Sequence, residues 1–109
     1  MCKQFKLGED EIQDIATGHG ACIATDEITV LGKPVGYMYR DEPTDETDSG
    51  WCFMSGEETA EYMENVDNHG IFDVNVIANY DLDVVPHLGA PVGSEFERDE
   101  YGELAEVLD

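Results

Sequence analysis

Positive charge is what this chain has least of. Five lysines and arginines stand against 26 aspartates and glutamates, a formal net charge of −21, and after Arg40 the only basic residue is Arg98. Phosphate backbones and anionic lipid surfaces are bound by basic surfaces, so neither nucleic acid nor membrane is an expected partner. Long apolar runs are also missing, and none approaches the ~20 residues that cross a bilayer. Gly8-Glu9-Asp10-Glu11 follows Lys3 and Lys6 where a signal peptide would place its apolar region, so the protein is expected in the cytoplasm. Cysteine is sparse: Cys2, Cys22 and Cys52 form no CxxC pair, and an odd number without an export signal argues for reduced thiols. Cys22 and Cys52 sit in apolar, strand-like runs and read as small core residues.

The spacings that carry chemistry are missing as well. His19, His69 and His87 lack HxxxH or HxH spacing, so no zinc site is expected. The acidic run Asp41 to Asp48 has Pro43 in its midst and a glycine only at Gly50, beyond the carboxylates, which does not fit an EF-hand loop. Ser55 lacks the GxSxG elbow, and the glycines are scattered singly with no lysine at a helix start. No catalytic residue, cofactor or metal site is expected, and the chain is not read as an enzyme.

What is present is a pattern centred on Ser49-Gly50-Trp51-Cys52-Phe53-Met54-Ser55-Gly56. The only tryptophan begins a short strand whose alternation puts Trp51 and Phe53 on one face. Gly56 breaks it, and Ser55 or Glu57 is expected to cap a helix running to Met63, with Glu57, Glu58 and Glu61 in or near a first turn that favours negative charge. Before it, Val35 to Arg40 reads as an aromatic-rich strand carrying Tyr37 and Tyr39, joined to the Trp51 strand by a loop with five carboxylates, Asp41, Glu42, Asp45, Glu46 and Asp48.

Ahead of these, a short helix is expected from Glu9 to Ala16, a buried strand over 21–25, and an extended stretch over 28–31. After them, the 3.6-residue period of Val74, Ile77 and Ala78 predicts a helix capped by Asp73, with a further turn over 82–88. Strands at 93–98 and 104–107 would flank a hairpin turn at 99–102, and a strand Leu104 to Leu108 at the sheet edge leaves dimerisation open. Residues 1–20 read as an N-terminal extension and 21–109 as a single α+β domain, an antiparallel sheet with two to three short helices packed on it. Trp51, Phe53, Tyr80 and Phe96 are the expected aromatic core.

Several segments carry a resemblance: Ala21-Cys22-Ile23-Ala24-Thr25-Asp26, Val35 to Arg40, Asp48 to Gly56, Glu61-Tyr62-Met63, Ile77-Ala78-Asn79-Tyr80-Asp81, Pro86, and Pro91 to Arg98. In that order they resemble a family of small bacterial proteins first known as a domain of unknown function and later classed among the predicted immunity proteins of polymorphic toxin systems. The resemblance implies a non-enzymatic protein that binds and silences a cognate toxin, and it transfers no catalytic residue.

Charge fits that role, because a basic partner such as a nuclease toxin would be steered to an acidic face. The expected contact residues are Tyr37, Tyr39, Asp41, Glu42, Asp45, Glu46, Asp48, Glu57, Glu58 and Glu61, on a monomer or homodimer. The alternative is a stand-alone cytosolic protein, a weak divalent-cation binder or small hydrolase, whose acidity serves only solubility.

Overall fold

A computed structural model describes residues 5–107, and Cys2 and Leu108 lie outside them. Six strands form one mixed sheet: β1 (Ala21–Thr25), β2 (Tyr37–Arg40), β3 (Asp48–Met54), β4 (His69–Asp73), β5 (Glu95–Arg98) and β6 (Leu104–Glu106). Their order across the sheet is β4-β1-β3-β2-β5-β6. Every neighbouring pair is antiparallel except β1 with β3, which run parallel, so the class is α+β and the sheet departs from the all-antiparallel expectation at its centre. That parallel pair needs a crossover, and the chain supplies it between β1 and β3 through α1 (Asp26–Thr29) and β2, while α2 (Ala60–Glu64) lies on the way from β3 to β4.

Alternation along the strands separates two faces. Cys22, Ala24, Met38, Trp51, Phe53, Phe96 and Leu104 point to the side covered by α1, α3 (Val74–Tyr80) and a 3₁₀ segment, Leu82–His87. Trp51 stacks on Phe53 with ring centroids 6.0 Å apart and donates its indole N–H to the Leu88 carbonyl at 3.2 Å. Burying such rings contributes about 1.5–3 kcal/mol each. Phe96 is buried beside them, and Tyr80 is half-buried against this core with its hydroxyl donating to the Thr29 carbonyl at 2.8 Å.

Two glycines let strands approach closely. Gly50 has φ +85°, and a Cβ there would stand 2.0 Å from the Asp41 carbonyl oxygen. It sits in an irregularity where Asp48 to Cys52 of β3 spans only Ala21 to Ile23 of β1, with the Ser49 hydroxyl donating to the Ala21 carbonyl. A Cβ at Gly36 would meet the Ser55 carbonyl oxygen at 1.9 Å.

Local structure differs from the sequence reading in five places, the first being residues 69–73, which form β4 where no strand is expected. The helix expected over 9–16 is only a 3₁₀ turn, Glu9–Glu11. Beyond it, Asn75 of α3 accepts the Ile15 and Ala16 amides, each at 2.8 Å, and donates to the Gln13 carbonyl at 2.9 Å, so tertiary bonds outcompete a weak helix.

Residues 26–29 are helical rather than turn and strand. Asp26 and Glu27 occupy a first turn that favours acids, and Ile28 and Thr29 are buried. The helix expected from Glu57 begins at Ala60, capped by the Thr59 hydroxyl oxygen, which accepts the Tyr62 amide at 3.1 Å. Finally, Cys52 is not a core residue; its neighbours Trp51 and Phe53 take the covered side, and it faces the other way, half-buried. Asp73 does cap α3, accepting the Asn75 amide at 2.9 Å.

Candidate functional site

Among the described residues, no helix packs over the middle of the second face of the sheet. Register pairing lines up Ile71, Ile23, Cys52, Tyr39 and Glu95 across β4, β1, β3, β2 and β5, and sets Tyr37 between Met54 and Glu97 in the next row. Ile71 is 77% exposed and Ile23 40%. The Tyr37 and Tyr39 rings lie 5.8 Å apart on this face, and the Tyr37 hydroxyl donates to the Glu95 carboxylate. Burial, then that carboxylate, pushes the Tyr37 phenol up to about 12. Tyr39 is raised too, by the neighbouring Cys52 thiol first and then by burial. Cys52 itself is raised by burial and by Asp41 and Asp48, so it stays a neutral thiol.

The expected contact residues surround this face rather than forming one patch. Tyr37 and Tyr39 stand on it. Asp41, Glu42, Asp45, Glu46 and Asp48 lie at the end where β2 passes into β3. Glu57 and Glu58 lie at the opposite end, where a groove of about 690 Å³ is lined by Tyr37, Met54, Met63 and Glu97 among others. Glu61 is exposed on α2.

Several of these carboxylates also serve the fold. Asp48 accepts the Thr44 and Gly50 amides at 2.9 and 3.0 Å, which hold its carboxyl below the usual range, and Asp45 is lowered by the Thr47 hydroxyl and amide. Burial alone would raise Glu58, but the Thr25 hydroxyl and the Ser55 and Gly56 amides outweigh it and the carboxyl is lowered. Glu42 and Glu46 are exposed.

Sequence reasoning missed Ile23, Cys52, Met54, Ile71, Glu95 and Glu97. Ile23 sits inside a continuous apolar run that reads as buried on both sides, and Ile71 lies in β4, a short strand whose alternation is masked by the helical period that follows it. Period two through Trp51-Cys52-Phe53-Met54 was the signal available for Cys52 and Met54.

The basic residues of the strands turn to the covered side. The Arg40 guanidinium lies 5.8 Å from the centroid of the Trp51 ring and donates to the Ser49 and Ala90 carbonyls. Arg98 pairs with Asp81 at 2.6 Å and Asp83 at 3.0 Å. Lys33, at the groove, is paired with Glu27 at 2.9 Å and Glu57 at 3.1 Å. Among the described residues, no three of His, Cys, Asp and Glu are gathered to hold a metal ion, and no helix is long and apolar enough to cross a membrane. The site presents exposed isoleucines, two tyrosines and flanking carboxylates.

The profile of a family described as "Immunity protein Imm33 domain" matches residues 22–108, spanning all six strands but for Ala21. No curated protein matches the chain, and no solved structure does.

Proposed function

The chain belongs to the Imm33 immunity-protein family, and from that premise we propose that it binds a basic toxin and neutralises it by contact, without catalysis. The observation that carries the reading beyond family membership is electrostatic. Twenty-six carboxylates oppose five cationic side chains, and Lys33, Arg40 and Arg98 are engaged within the fold. A partner approaching the carboxylate loop therefore meets a field of one sign. Such a field raises the encounter rate of a cationic protein tenfold or more and repels anionic ones. Speed suits a protein that must silence a toxin before it acts.

The acidic loop over 41–48 is the steering element in this reading. Glu42 and Glu46 project carboxylates at its surface, while Asp45 and Asp48 hold its shape. A nuclease is a fitting class of toxin, because its phosphate-binding groove is basic and a carboxylate loop can occupy it.

The experiment is affinity isolation of the tagged chain from its native host at low and at high salt, followed by expression of each partner alone. The reading expects one stoichiometric basic partner, lost at high salt, that arrests growth unless the chain is co-expressed. A partner whose expression is harmless, or whose toxicity the chain does not relieve, refutes it.

A further inference from the structure

We propose that the toxin docks on the uncovered sheet face itself, centred on Ile71, Ile23, Cys52, Tyr39, Tyr37 and Met54. This rests on the immunity reading and adds the surface and its chemistry. The occupant presents an apolar patch ringed by lysine or arginine.

Three observations lead to that occupant. The first is apolar exposure without a purpose in the fold. Ile71 and Ile23 are cross-strand partners on adjacent strands, both solvent-exposed, and the row continues through Cys52 to Tyr39. A contiguous apolar strip of this kind on a soluble fold marks an interaction site, whereas isolated exposed side chains need no explanation.

The second is composition. The middle of the strip carries no charge and holds two tyrosines, a residue type enriched among interface anchors, while charged groups stand at its margin. Tyr37 is already positioned by its hydrogen bond to Glu95, which reduces the entropy lost when it is covered.

The third is the sign of that margin. Glu95 and Glu97 border the tyrosines on β5, and Asp41 and Asp48 lie close enough to Cys52 to raise its thiol. Arg40 lies over Trp51 on the opposite face, and Lys33 and Arg98, which line the groove at the far end, are each paired with two carboxylates. A second copy of the chain would bring the same carboxylates against these, so like charges oppose a homodimer here and a basic partner fits. The steering loop joins this face at the Asp41–Asp48 end, which lets a partner attracted by the loop settle onto the strip.

The test places the photo-crosslinking residue p-benzoylphenylalanine in the full chain in its native host, in place of Ile71 or Tyr39 on the face, Asp45 in the loop, or Leu82 on the helix side. Captured proteins are identified by mass spectrometry and expressed alone to score growth arrest. The expected result is one basic, growth-arresting protein captured from positions 71 and 39. Ile71→Asp should then weaken its binding at least tenfold in a purified pair, with an unchanged thermal melt because the side chain is already exposed.

Capture of that toxic protein from position 45 or 82 but not from 71 or 39 overturns the docking face and leaves the immunity reading standing. Capture of a second copy of the chain at 71 and 39 overturns it in favour of a homodimer. An acidic toxin on the face overturns the charge matching. A chain that captures no growth-arresting protein at any position overturns both the face and the reading beneath it.

Discussion

Thr25 donates its hydroxyl to the Glu58 carboxylate at 2.6 Å, linking the end of β1 to the turn that follows β3. The same carboxylate accepts the Ser55 amide at 2.8 Å and the Gly56 amide at 2.9 Å. One acidic side chain thereby closes the end of the parallel β1–β3 pair and directs the crossover toward β4. It explains why α2 starts at Ala60: Glu58 faces back to the turn, leaving Thr59 to cap the helix.

Replacing Glu58 by alanine should cost about 1–3 kcal/mol at neutral pH, since two amides and a hydroxyl lose a charged acceptor. The pH dependence follows from the lowered carboxyl. A carboxyl with a depressed folded pKa contributes stability above its unfolded value, about 4.5, and that contribution is lost as pH falls through the folded value. Chemical denaturation of the wild type and Glu58→Ala should therefore give midpoints well apart at pH 7 that converge on acidification below about pH 4.5. A gap that persists unchanged into strong acid would mean that the ionised carboxylate is not what holds the turn.

Asn75→Ala should release the segment before β1. The buried side chain serves two amides and one carbonyl of residues 13–16, and Asn79 adds bonds to Gln13 at both its amide and its carbonyl. Leaving those backbone groups unpaired costs about 2–3 kcal/mol. Amide exchange should rise sharply over 13–16 and little in β3. Uniform acceleration across the sheet would show instead that the segment and the sheet open together.

How far the residues alone revealed this depends on where each segment's decisive contacts lie. The strand at Trp51, the cap at Asp73 and the hairpin before Leu104 are set by neighbours a few positions away, and all three were legible. The N-terminal segment was not, because its conformation is fixed by asparagines some sixty residues later. The parallel pairing of β1 with β3 was hidden for the same reason, since strand periodicity is blind to direction. On the candidate site, the two tyrosines and the acidic loop were visible as residue types. Ile71 and Ile23 came to the surface only through register, which no local pattern encodes.

Gly50→Ala should damage the fold more than its small size suggests. Its φ of +85° is unfavourable for any residue with a Cβ, and the added carbon would overlap the Asp41 carbonyl that faces β3. A loss of about 2 kcal/mol or more is expected, with the thermal midpoint falling and the near-ultraviolet signal of neighbouring Trp51 weakening. A variant as stable as the parent would show that the β2–β3 ends can part without cost.

Charge and contact should separate kinetically once the toxin is in hand. Glu42 and Glu46 are exposed, so reversing both to lysine leaves the fold's own hydrogen bonds in place. Surface charges at that distance act across a Debye length of about 8 Å at physiological salt, mainly on the encounter. The double variant should bind with a several-fold slower association rate at low salt, an unaltered dissociation rate, and no difference from the parent at high salt. Tyr39→Ala should do the reverse, since a tyrosine covered in the complex resists its separation and has little influence at long range. Its dissociation should be faster by tenfold or more, at low and high salt alike. Stopped-flow association and surface-plasmon dissociation measure the two rates directly. If the lysine pair changes dissociation and Tyr39→Ala leaves it alone, the loop is the contact surface and the open sheet face is not.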